Sequence, residues 1–335
     1  MTIRIAINGF GRIGRSVFRI LSDLPEEFEV VAINDLYDNK ALSYLLKYDT
    51  VMGTFDKNVN FDDEALYVND KKILMTNHRD PAEADWGKLG IDFVIESTGV
   101  FTVRAALEKH LEGGAKKVLL TVPPKDDIDA MVVYKVNDEI LEKNHKIISN
   151  ASCTTNCLAP LAKVLDEAFG IEHGLMTTVH AFTNDQRLAD VPHKDFRRSR
   201  AAAENIIPTT TGAARAVGKV LPQLAGKLDG MAARVPVPDG SVVDLVVKLN
   251  ERPDAEAVNK AIKDAAEGNM KGVLQFCDEP VVSSDIIGNP HSSVFDSLVT
   301  QAKGDGYVRV LSWYDNEWGY SNRCVDIIRK AHGLG

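Results

Sequence analysis

Short apolar runs alternate with amphipathic segments through the first 150 residues. The run from Ile3 to Ile7 is rich in β-branched residues, which is typical of a buried parallel strand. A helical period follows, and its apolar positions lie on one face: Ile13, Val17, Ile20 and Leu21. Further strands are predicted at residues 28–33, 91–96, 117–122 and 146–149. The alternation of strands with helices predicts a doubly wound parallel sheet of the α/β class.

A longer helix is predicted after residue 153, where apolar residues keep helical spacing: Leu158, Leu161, Leu165, Ala168 and Phe169. Gly170 follows this pattern, as glycine often does at the end of a helix. Pro160 lies deep in the segment and predicts either a kink or a later start. The stretch 308–333 predicts a strand, a turn and an amphipathic helix with a buried face that contains Trp318, Val325 and Ile328.

Three glycines follow the first predicted strand with the spacing G-x-G-x-x-G: Gly9, Gly11 and Gly14. Glycines at this spacing permit a tight turn and a close approach of the backbone to a pyrophosphate at a helix N-terminus. Asp35 lies about twenty residues further on, where a carboxylate accepts hydrogen bonds from a ribose 2′-hydroxyl and repels a 2′-phosphate. Strand, glycines, helix, strand and acid together predict a domain that binds NAD rather than NADP.

Composition narrows the class of protein. The chain has 335 residues, of which 44% are hydrophobic and 26% charged, as in globular proteins with room for two domains. Its net charge of −9 argues against a dedicated nucleic-acid site, because phosphate binding needs a basic surface. No apolar run approaches the ~20 residues of a membrane span, and "MTIRIAINGFG" lacks the pattern of a signal peptide. We therefore expect a cytoplasmic protein without membrane association.

The stretch "SNASCTTNCLAP" contains two of the four cysteines, Cys153 and Cys157. Their C-x-x-x-C spacing lacks a second Cys or His pair nearby, so a zinc site is disfavoured and we predict no metal. Cys153 falls in the first turn of a predicted helix, a position that lowers a thiol pKa from about 8.5 toward ~3.5–7.5. It is therefore either a nucleophile or an inert buried cysteine, whereas packing is the simpler role for Cys157.

A thiolate nucleophile needs a base or an ion-pair partner, and the chain has eight histidines. His180 ends the strand-like segment "LMTTVHAFT", soon after the cysteine helix. His193 and His291 lie in polar loops, where surface positions are expected. The pattern alone does not choose among them.

The chain is similar over nearly its whole length to phosphorylating glyceraldehyde-3-phosphate dehydrogenases. The resemblance rests on these stretches: "INGFGRIGR", "LLKYD", "SNASCTTNCLAP", "TNDQR", "IIPTTTGAA", "LDGMAARVP" and "SWYDNEWGYSNR". It implies reversible, NAD-dependent oxidation of D-glyceraldehyde 3-phosphate to 1,3-bisphosphoglycerate with inorganic phosphate, as in glycolysis and gluconeogenesis. Cys153 matches the nucleophile that forms a hemithioacetal and then a thioester, and His180 matches its base.

The resemblance also implies the remaining site residues. Thr183 and Arg234 match the pocket for the phosphate of the substrate. Residues that match the site of the attacking phosphate, or share in the anion sites, are Ser152, Thr154, Arg198, Thr211 and Gly212. Residues that match cofactor contacts, beside the three glycines, are Arg12, Ile13, Asp35, Arg79, Thr121, Asn316 and Tyr320.

For the fold, the resemblance implies a discontinuous Rossmann-type NAD-binding domain formed by residues 1–150 with 316–335. Residues 151–315 are then an α+β catalytic domain with a mostly antiparallel sheet, which contains strands such as "DLVVKLN". The segment "AFTNDQRLADVPHKDFRRSR" matches the loop that packs between subunits in the family, which implies a homotetramer. Val191 stands where leucine is commoner in the family, whereas Pro192 is retained.

Three other kinds of protein share part of this pattern. An erythrose-4-phosphate dehydrogenase has the same glycines, cysteine and histidine but hydrolyses its thioester, whereas "TNDQR" and "PTTTG" favour phosphorolysis. An aspartate-semialdehyde dehydrogenase also combines a Rossmann domain with a reactive thiol, but its sequence signatures are absent from this chain. A binding protein without turnover, contacting RNA through its dinucleotide cleft, is disfavoured because Cys153, His180 and both arginines are retained.

Overall fold

The computed structural model describes residues 2–334 and divides into two compact units. The first unit contains the chain up to Val132, Asp138–Ala151 and the segment from Ser321 onward. The second contains Val133–Asn137 and Ser152–Tyr320. Within the described residues, no helix is long and apolar enough to cross a membrane.

The first unit is built on a nine-stranded sheet. Its strands are β1 (Ile3–Asn8), β2 (Phe28–Asn34), β3 (Val59–Phe61), β4 (Ala65–Val68), β5 (Lys71–Thr76), β6 (Phe93–Glu96), β7 (Lys117–Leu120), β8 (Ala130–Met131) and β9 (Ile147–Ser149). Its helices are α1 (Arg12–Ser22), α2 (Asn39–Lys47) and α3 (Arg104–Glu112). The strand order is β3-β4-β5-β2-β1-β6-β7-β9-β8, and the pairs are parallel except β3–β4 and β4–β5.

The centre of this sheet explains where a ligand fits. β1 pairs with β2 on one side and β6 on the other, so the chain reverses its direction of travel across the sheet at β1. Ligands of doubly wound sheets bind at the carboxyl ends of the strands at such a reversal. The predicted strands and the apolar face of α1, including Val17, Ile20 and Leu21, are buried, which confirms the helix and strand pattern of this part of the chain.

The second unit is built on a seven-stranded, mostly antiparallel sheet, which confirms the predicted α+β arrangement. Its strands are β10 (Ile171–Ala181), β11 (Ile207–Thr210), β12 (Leu228–Val235), β13 (Ser241–Leu249), β14 (Leu274–Cys277), β15 (Ser293–Ala302) and β16 (Tyr307–Tyr314). The order is β11-β12-β10-β13-β16-β15-β14, with β10–β12 and β14–β15 parallel. Its helices are α4 (Cys153–Phe169), α5 (Ala213–Val220) and α6 (Ala255–Glu267).

Helix α4 begins at Cys153, which confirms that this residue lies in the first turn, and continues past Pro160 to Phe169, so Pro160 does not shift the start. The cap at Ser152 fixes the start, since its hydroxyl accepts the N–H of Thr155. Leu158, Leu161 and Leu165 are buried as the spacing predicts, whereas the last turn rises out of the core and Ala168 is exposed. Gly170 ends the helix with a φ of +66°, a conformation that favours glycine.

The C-terminal helix α7 (Trp318–His332) starts within the second unit and continues in the first. Val325 and Ile328 are buried as predicted, but Trp318 is only half-buried. Cys324 and Ile327 are fully buried as well.

Candidate active site

Cys153 is the first residue of α4, directly after the Ser152 cap. The residue before the cap, Ala151, has a φ of +52°, which is uncommon for a residue with a side chain. Such strain is concentrated at functional sites. The start of α4 therefore presents the half-buried Cys153 thiol where helix N–H groups face an incoming negative charge.

The register of the second sheet brings His180 and Arg234 together, since they lie directly opposite each other on the parallel strands β10 and β12. Cys153 Sγ lies 3.5 Å from His180 Nε2. On the far side of the ring, Nδ1 lies 2.7 Å from Arg234 Nη1 and 2.7 Å from the carbonyl oxygen of Ala181. Cys153 and Arg234, which are far apart in the sequence, thus contact the two ring nitrogens of His180.

Two proton arrangements of His180 fit these contacts. If Arg234 donates to Nδ1, the ring proton lies on Nε2 and faces the sulfur. If Nδ1 donates to the Ala181 carbonyl, which also accepts from Arg234 Nη1 at 2.8 Å, Nε2 is left as an acceptor for the thiol proton. The position of the Arg234 guanidinium therefore decides whether His180 is ready to act as a base.

The pKa values describe a neutral pair. Burial raises the pKa of the Cys153 thiol, although the positive charge of Arg234 lowers it. Burial and then repulsion by Arg234 lower the pKa of His180 to about 3. The predicted lowering of the thiol pKa is therefore wrong, because desolvation of the thiolate outweighs the nearby positive charge. A neutral imidazole beside a neutral thiol is nevertheless the state from which His180 accepts the proton.

Cys157 lies one turn further along α4 and is fully buried, as its predicted packing role requires. Burial raises its pKa to about 12. Its sulfur contacts the hydroxyl of Ser293 and the carbonyl of Ser312. Of the two cysteines in the motif, only Cys153 has the setting of a reactive thiol.

Tyr314 completes this cluster, and the sequence prediction missed it. Its ring packs edge-on against His180 with centroids 5.9 Å apart. Its buried hydroxyl bonds to the hydroxyls of Thr154 and Thr178 at 2.9 and 2.8 Å. Tyr314 therefore ties the start of α4 to β10 and holds the imidazole ring. Its place at the end of β16, in the quoted stretch "SWYDNEWGYSNR", was the available signal.

Arg198 lies in a second basic position of this unit. Its Nε donates to the hydroxyl of Thr209 at 2.9 Å, and its guanidinium pairs with Asp185 and with Asp195, the latter at 3.5 Å. Burial lowers the pKa of Arg234, and the charge of Arg198 lowers it further, so the two cations repel each other. An anion that enters here would relieve that repulsion but would compete with the two aspartates for Arg198.

The other predicted phosphate ligands differ in availability. Thr183 is half-buried, and its N–H donates to Gln186. Thr211 and Gly212 lie at the start of α5, where Gly212 is exposed and the Thr211 hydroxyl accepts the N–H of Ala213. Thr154 is 4% exposed and its hydroxyl is engaged with Tyr314, which leaves the backbone as its route to a ligand.

Asn316 and Tyr320, both predicted cofactor contacts, are buried in the second unit. The side-chain oxygen of Asn316 accepts from the hydroxyl of Ser241 at 2.6 Å, and that hydroxyl accepts the N–H of Ala181. The Asn316 backbone N–H donates to Asp239. With its oxygen engaged, the amide nitrogen of Asn316 is the group oriented to donate to a carbonyl of a ligand.

The glycine loop of the first unit has the geometry of a phosphate cradle. Gly9 has a φ of +91°, and a Cβ on Gly14 would lie 2.2 Å from the Gly9 carbonyl oxygen. A Cβ on Gly11 would meet nothing within 4 Å. Two glycines are thus required by the fold, while Gly11 leaves an open space beside the start of α1, which fits the pyrophosphate of a dinucleotide.

Asp35 follows β2 and braces this loop, because its carboxylate accepts the N–H of Phe10 at 2.7 Å and that of Tyr37 at 3.0 Å. Arg12 pairs with Asp49, a residue that the sequence prediction left without a role. Ile13 is half-buried in the first turn of α1, and Arg79 is exposed after β5. Thr121 is buried, and its N–H and hydroxyl both donate to the Glu96 carbonyl.

A buried polar network underlies the same strand ends and was also missed. Glu96 is fully buried and accepts from Asn8 at 2.6 Å and from both the N–H, at 2.9 Å, and the hydroxyl of Thr98. It also contacts His110 Nε2 at 3.0 Å. The indole N–H of Trp86 donates to His110 Nδ1, so the proton of that imidazole lies on Nε2 and faces the Glu96 carboxylate. The network anchors the strands that carry the glycine loop.

Comparison with known proteins gives one consistent result. Residues 3–104 match the NAD binding domain of glyceraldehyde 3-phosphate dehydrogenase, and residues 152–316 match its C-terminal domain. The chain is 57% identical over 329 residues to glyceraldehyde-3-phosphate dehydrogenase of Streptomyces coelicolor, covering 98% of each chain. It is 56% identical to glyceraldehyde-3-phosphate dehydrogenase 1 of Bacillus subtilis, covering 98% and 97%. The chain belongs to the glyceraldehyde-3-phosphate dehydrogenase family.

Proposed function

We propose that the chain catalyses the reversible oxidative phosphorylation of D-glyceraldehyde 3-phosphate with NAD. The observation that carries the proposal is the cluster in which the Cys153 thiol lies 3.5 Å from His180 Nε2 and Arg234 contacts the other ring nitrogen. A thiol beside a neutral imidazole, with a cation at hand, suits covalent catalysis on an aldehyde that carries a phosphate.

In the first step, the Cys153 sulfur attacks the aldehyde carbon and His180 Nε2 takes the thiol proton. The oxygen of the resulting hemithioacetal gains negative charge next to the N–H groups at the start of α4, which stabilise it. A substrate phosphate that binds Arg234 draws the guanidinium from His180 Nδ1. The ring then donates from Nδ1 to the Ala181 carbonyl and accepts at Nε2, so substrate binding itself prepares the base.

In the second step, the protonated His180 first gives its proton to the hemithioacetal oxygen, which becomes a hydroxyl. The hemithioacetal carbon then loses a hydride and becomes a thioester on Cys153, while His180 takes the hydroxyl proton back. Bound NAD supplies the hydride acceptor. An oxygen of inorganic phosphate then attacks the thioester carbon, the carbon–sulfur bond breaks, and the thiolate of Cys153 regains its proton from His180. The products are the acyl phosphate and the free thiol.

Two anion sites serve these steps. We assign the phosphate of the substrate to Arg234 with Thr183, since Arg234 is mostly buried beside the reacting pair. We assign the attacking phosphate to Arg198 with the groups around it: Ser152, Thr154, Thr211 and Gly212. The hydroxyls of Ser152 and Thr154 are engaged within the protein, so we expect these two residues to contribute mainly through helix N–H groups.

For the cofactor, we assign the first unit with Gly9, Gly11, Arg12, Ile13 and Gly14 to the pyrophosphate and Asp35 to the ribose. We also assign Arg79, Thr121, Asn316 and Tyr320 to cofactor binding. The bracing of the loop by Asp35 supports this assignment, because one carboxylate then serves both the loop and a ribose hydroxyl. The predicted domain division, 1–150 with 316–335 and 151–315, is proposed as the functional division.

The test is NADH formation from glyceraldehyde 3-phosphate and NAD, with and without inorganic phosphate. We expect sustained turnover only with phosphate and a burst of one equivalent per site without it. Turnover that is indifferent to phosphate would instead indicate hydrolysis of the thioester, and erythrose 4-phosphate would become the substrate to test.

The chain is also proposed to form a homotetramer in the cytoplasm. Leu188 and Phe196, in the loop between β10 and β11, are 85% and 86% exposed. Leu175, Met231 and Val246 form a further exposed apolar face on the second sheet. Exposed apolar side chains grouped in this way are typical of an interface between subunits. Native mass spectrometry should give four times the chain mass of 36.7 kDa, and a monomer mass would contradict the proposal.

A further inference from the structure

Two acidic side chains of the second unit, Asp239 and Asp315, are buried together. Asp239 lies in the turn between β12 and β13, Asp315 directly follows β16, and each is 1% exposed. Their carboxyl groups interact directly. Two buried carboxyl groups that interact directly repel each other strongly when both are charged, so the pair is stable when it holds one proton between its members.

The contacts of the pair indicate which oxygen holds the proton. Asp315 accepts three backbone N–H groups: that of Gly288 at 2.7 Å and those of Glu317 and Trp318 at 2.9 and 2.6 Å. Asp239 Oδ1 accepts the N–H groups of Gly240 and Asn316. Within the described residues, Asp239 Oδ2 is buried and receives no donor. The oxygen without a donor is the one that carries the proton and donates it to Asp315.

This pair leads directly to Asn316. The N–H of Asn316 donates to Asp239 at 3.2 Å, and its side-chain oxygen accepts from Ser241. Ser241 in turn holds the backbone beside His180. A displacement of either acid therefore moves the amide that we assign to the cofactor.

We infer that Asp239 and Asp315 share one proton and act as a positioning pair that holds Asn316 for cofactor binding. The inference rests on the proposed function through the role of Asn316. When the shared proton is lost at alkaline pH, two adjacent buried charges repel each other and Asn316 leaves its position.

The surroundings of the pair favour retention of the proton. Burial is the main effect that raises the pKa of Asp239, to about 9, and the charges of Asp315 and Glu317 raise it further. On the adjoining turn at 283–286, Asp285 is also acidic and is engaged with the N–H of Val282. On α4, Cys153 lies close enough to Asp239 for the two groups to interact, and the Cys153 thiol is neutral because burial raises its pKa. None of these groups supplies a positive charge that would stabilise a second carboxylate.

The test is the dissociation constant of NAD between about pH 6 and 10, measured by calorimetry on the full chain. For the unmodified protein we expect the constant to rise above about pH 9, by up to about tenfold per pH unit. In Asp239→Asn the amide donates to Asp315 without ionising, and the alkaline rise should disappear. Asp264→Asn removes the same charge from an exposed site on α6 and should keep the rise.

The infrared spectrum provides the second readout. The carbonyl band of a buried protonated carboxylic acid should be present at neutral pH and absent in both Asp239→Asn and Asp315→Asn. An unchanged alkaline rise in Asp239→Asn, or no acid carbonyl band in the unmodified protein, would overturn the inference. Failure of the unmodified protein to bind NAD at neutral pH would instead contradict the proposed function.

Discussion

Arg234 acts on two titrating neighbours at once. Burial raises the pKa of the Cys153 thiol, and the positive charge of Arg234 opposes that rise. Burial lowers the pKa of His180, and repulsion by Arg234 lowers it further. The effect of Arg234 on Cys153 favours the thiolate, and its effect on His180 keeps the imidazole neutral and able to accept a proton. One side chain thus prepares both members of the reacting pair, and a substrate phosphate that binds to it adjusts both together.

The consequence is testable with Arg234→Ala. Loss of the positive charge should raise the pKa of Cys153, so the rate of alkylation by iodoacetamide at pH 7 should fall by about tenfold per unit of pKa. The value of kcat/KM for glyceraldehyde 3-phosphate should fall by about 10- to 100-fold, as expected for a lost charge-assisted bond of ~1.5–3 kcal/mol. Arg234→Lys keeps the charge and should keep the alkylation profile. An unchanged profile in the alanine variant would exclude the electrostatic role.

Two glycines of the loop have different expected roles: Gly14 is required for folding, and Gly11 for binding of the cofactor. Gly14→Ala should destabilise the protein, because its Cβ would lie 2.2 Å from the Gly9 carbonyl oxygen. Gly11→Ala meets nothing within 4 Å, so its melting temperature should match that of the unmodified chain while its affinity for NAD falls. Thermal melts and calorimetric titrations of both variants decide this. Equal NAD affinity in Gly11→Ala would show that the open space is not the pyrophosphate site.

The N-cap residues of α4 and α6 make the same kind of hydrogen bond, so they can be compared by mutation. Ser152 and Asp254 each accept an N–H in the first turn of their helix, from Thr155 and Ala257. Replacement of either by alanine should lower the stability by about 1 kcal/mol, measured at one protein concentration. Only Ser152→Ala should also reduce turnover, because α4 carries Cys153. A similar loss of turnover in Asp254→Ala would mean that both act through general stability.

Local sequence patterns were sufficient to predict the helices and strands, but not the side-chain contacts between them. The runs that became β1 and β2, and the glycine spacing, depend on neighbouring residues and were predicted with boundaries close to those observed. Tyr314, Asp239 and Asp49 were missed because their roles depend on register and on partners far along the chain. The wrong direction for the Cys153 pKa has the same origin, since burial is a property of the folded surroundings.

At the scale of the whole molecule, the buried acid pair should make stability depend on pH. The pKa of Asp239 is raised from 3.8 to about 9 on folding, so the native state binds the extra proton between these values. By linkage, its stabilising contribution is present below about pH 4 and is lost as the pH rises through about 9. Compared with Asp239→Asn, the unmodified protein should lose melting temperature between pH 5.5 and 8.5. A difference that stays constant with pH would contradict the shared proton.

The hydrogen bond between Trp86 and His110 makes one indole proton a probe of local opening in the first unit. Of the three tryptophans, Trp86 is the one in that unit, and its indole is fully buried. Because its N–H is held by His110, exchange of that proton with deuterium requires the network with Glu96 to open. The exchange rate of this single indole proton therefore reports how often the nucleotide-binding unit opens. It does so separately from the unit that carries Cys153.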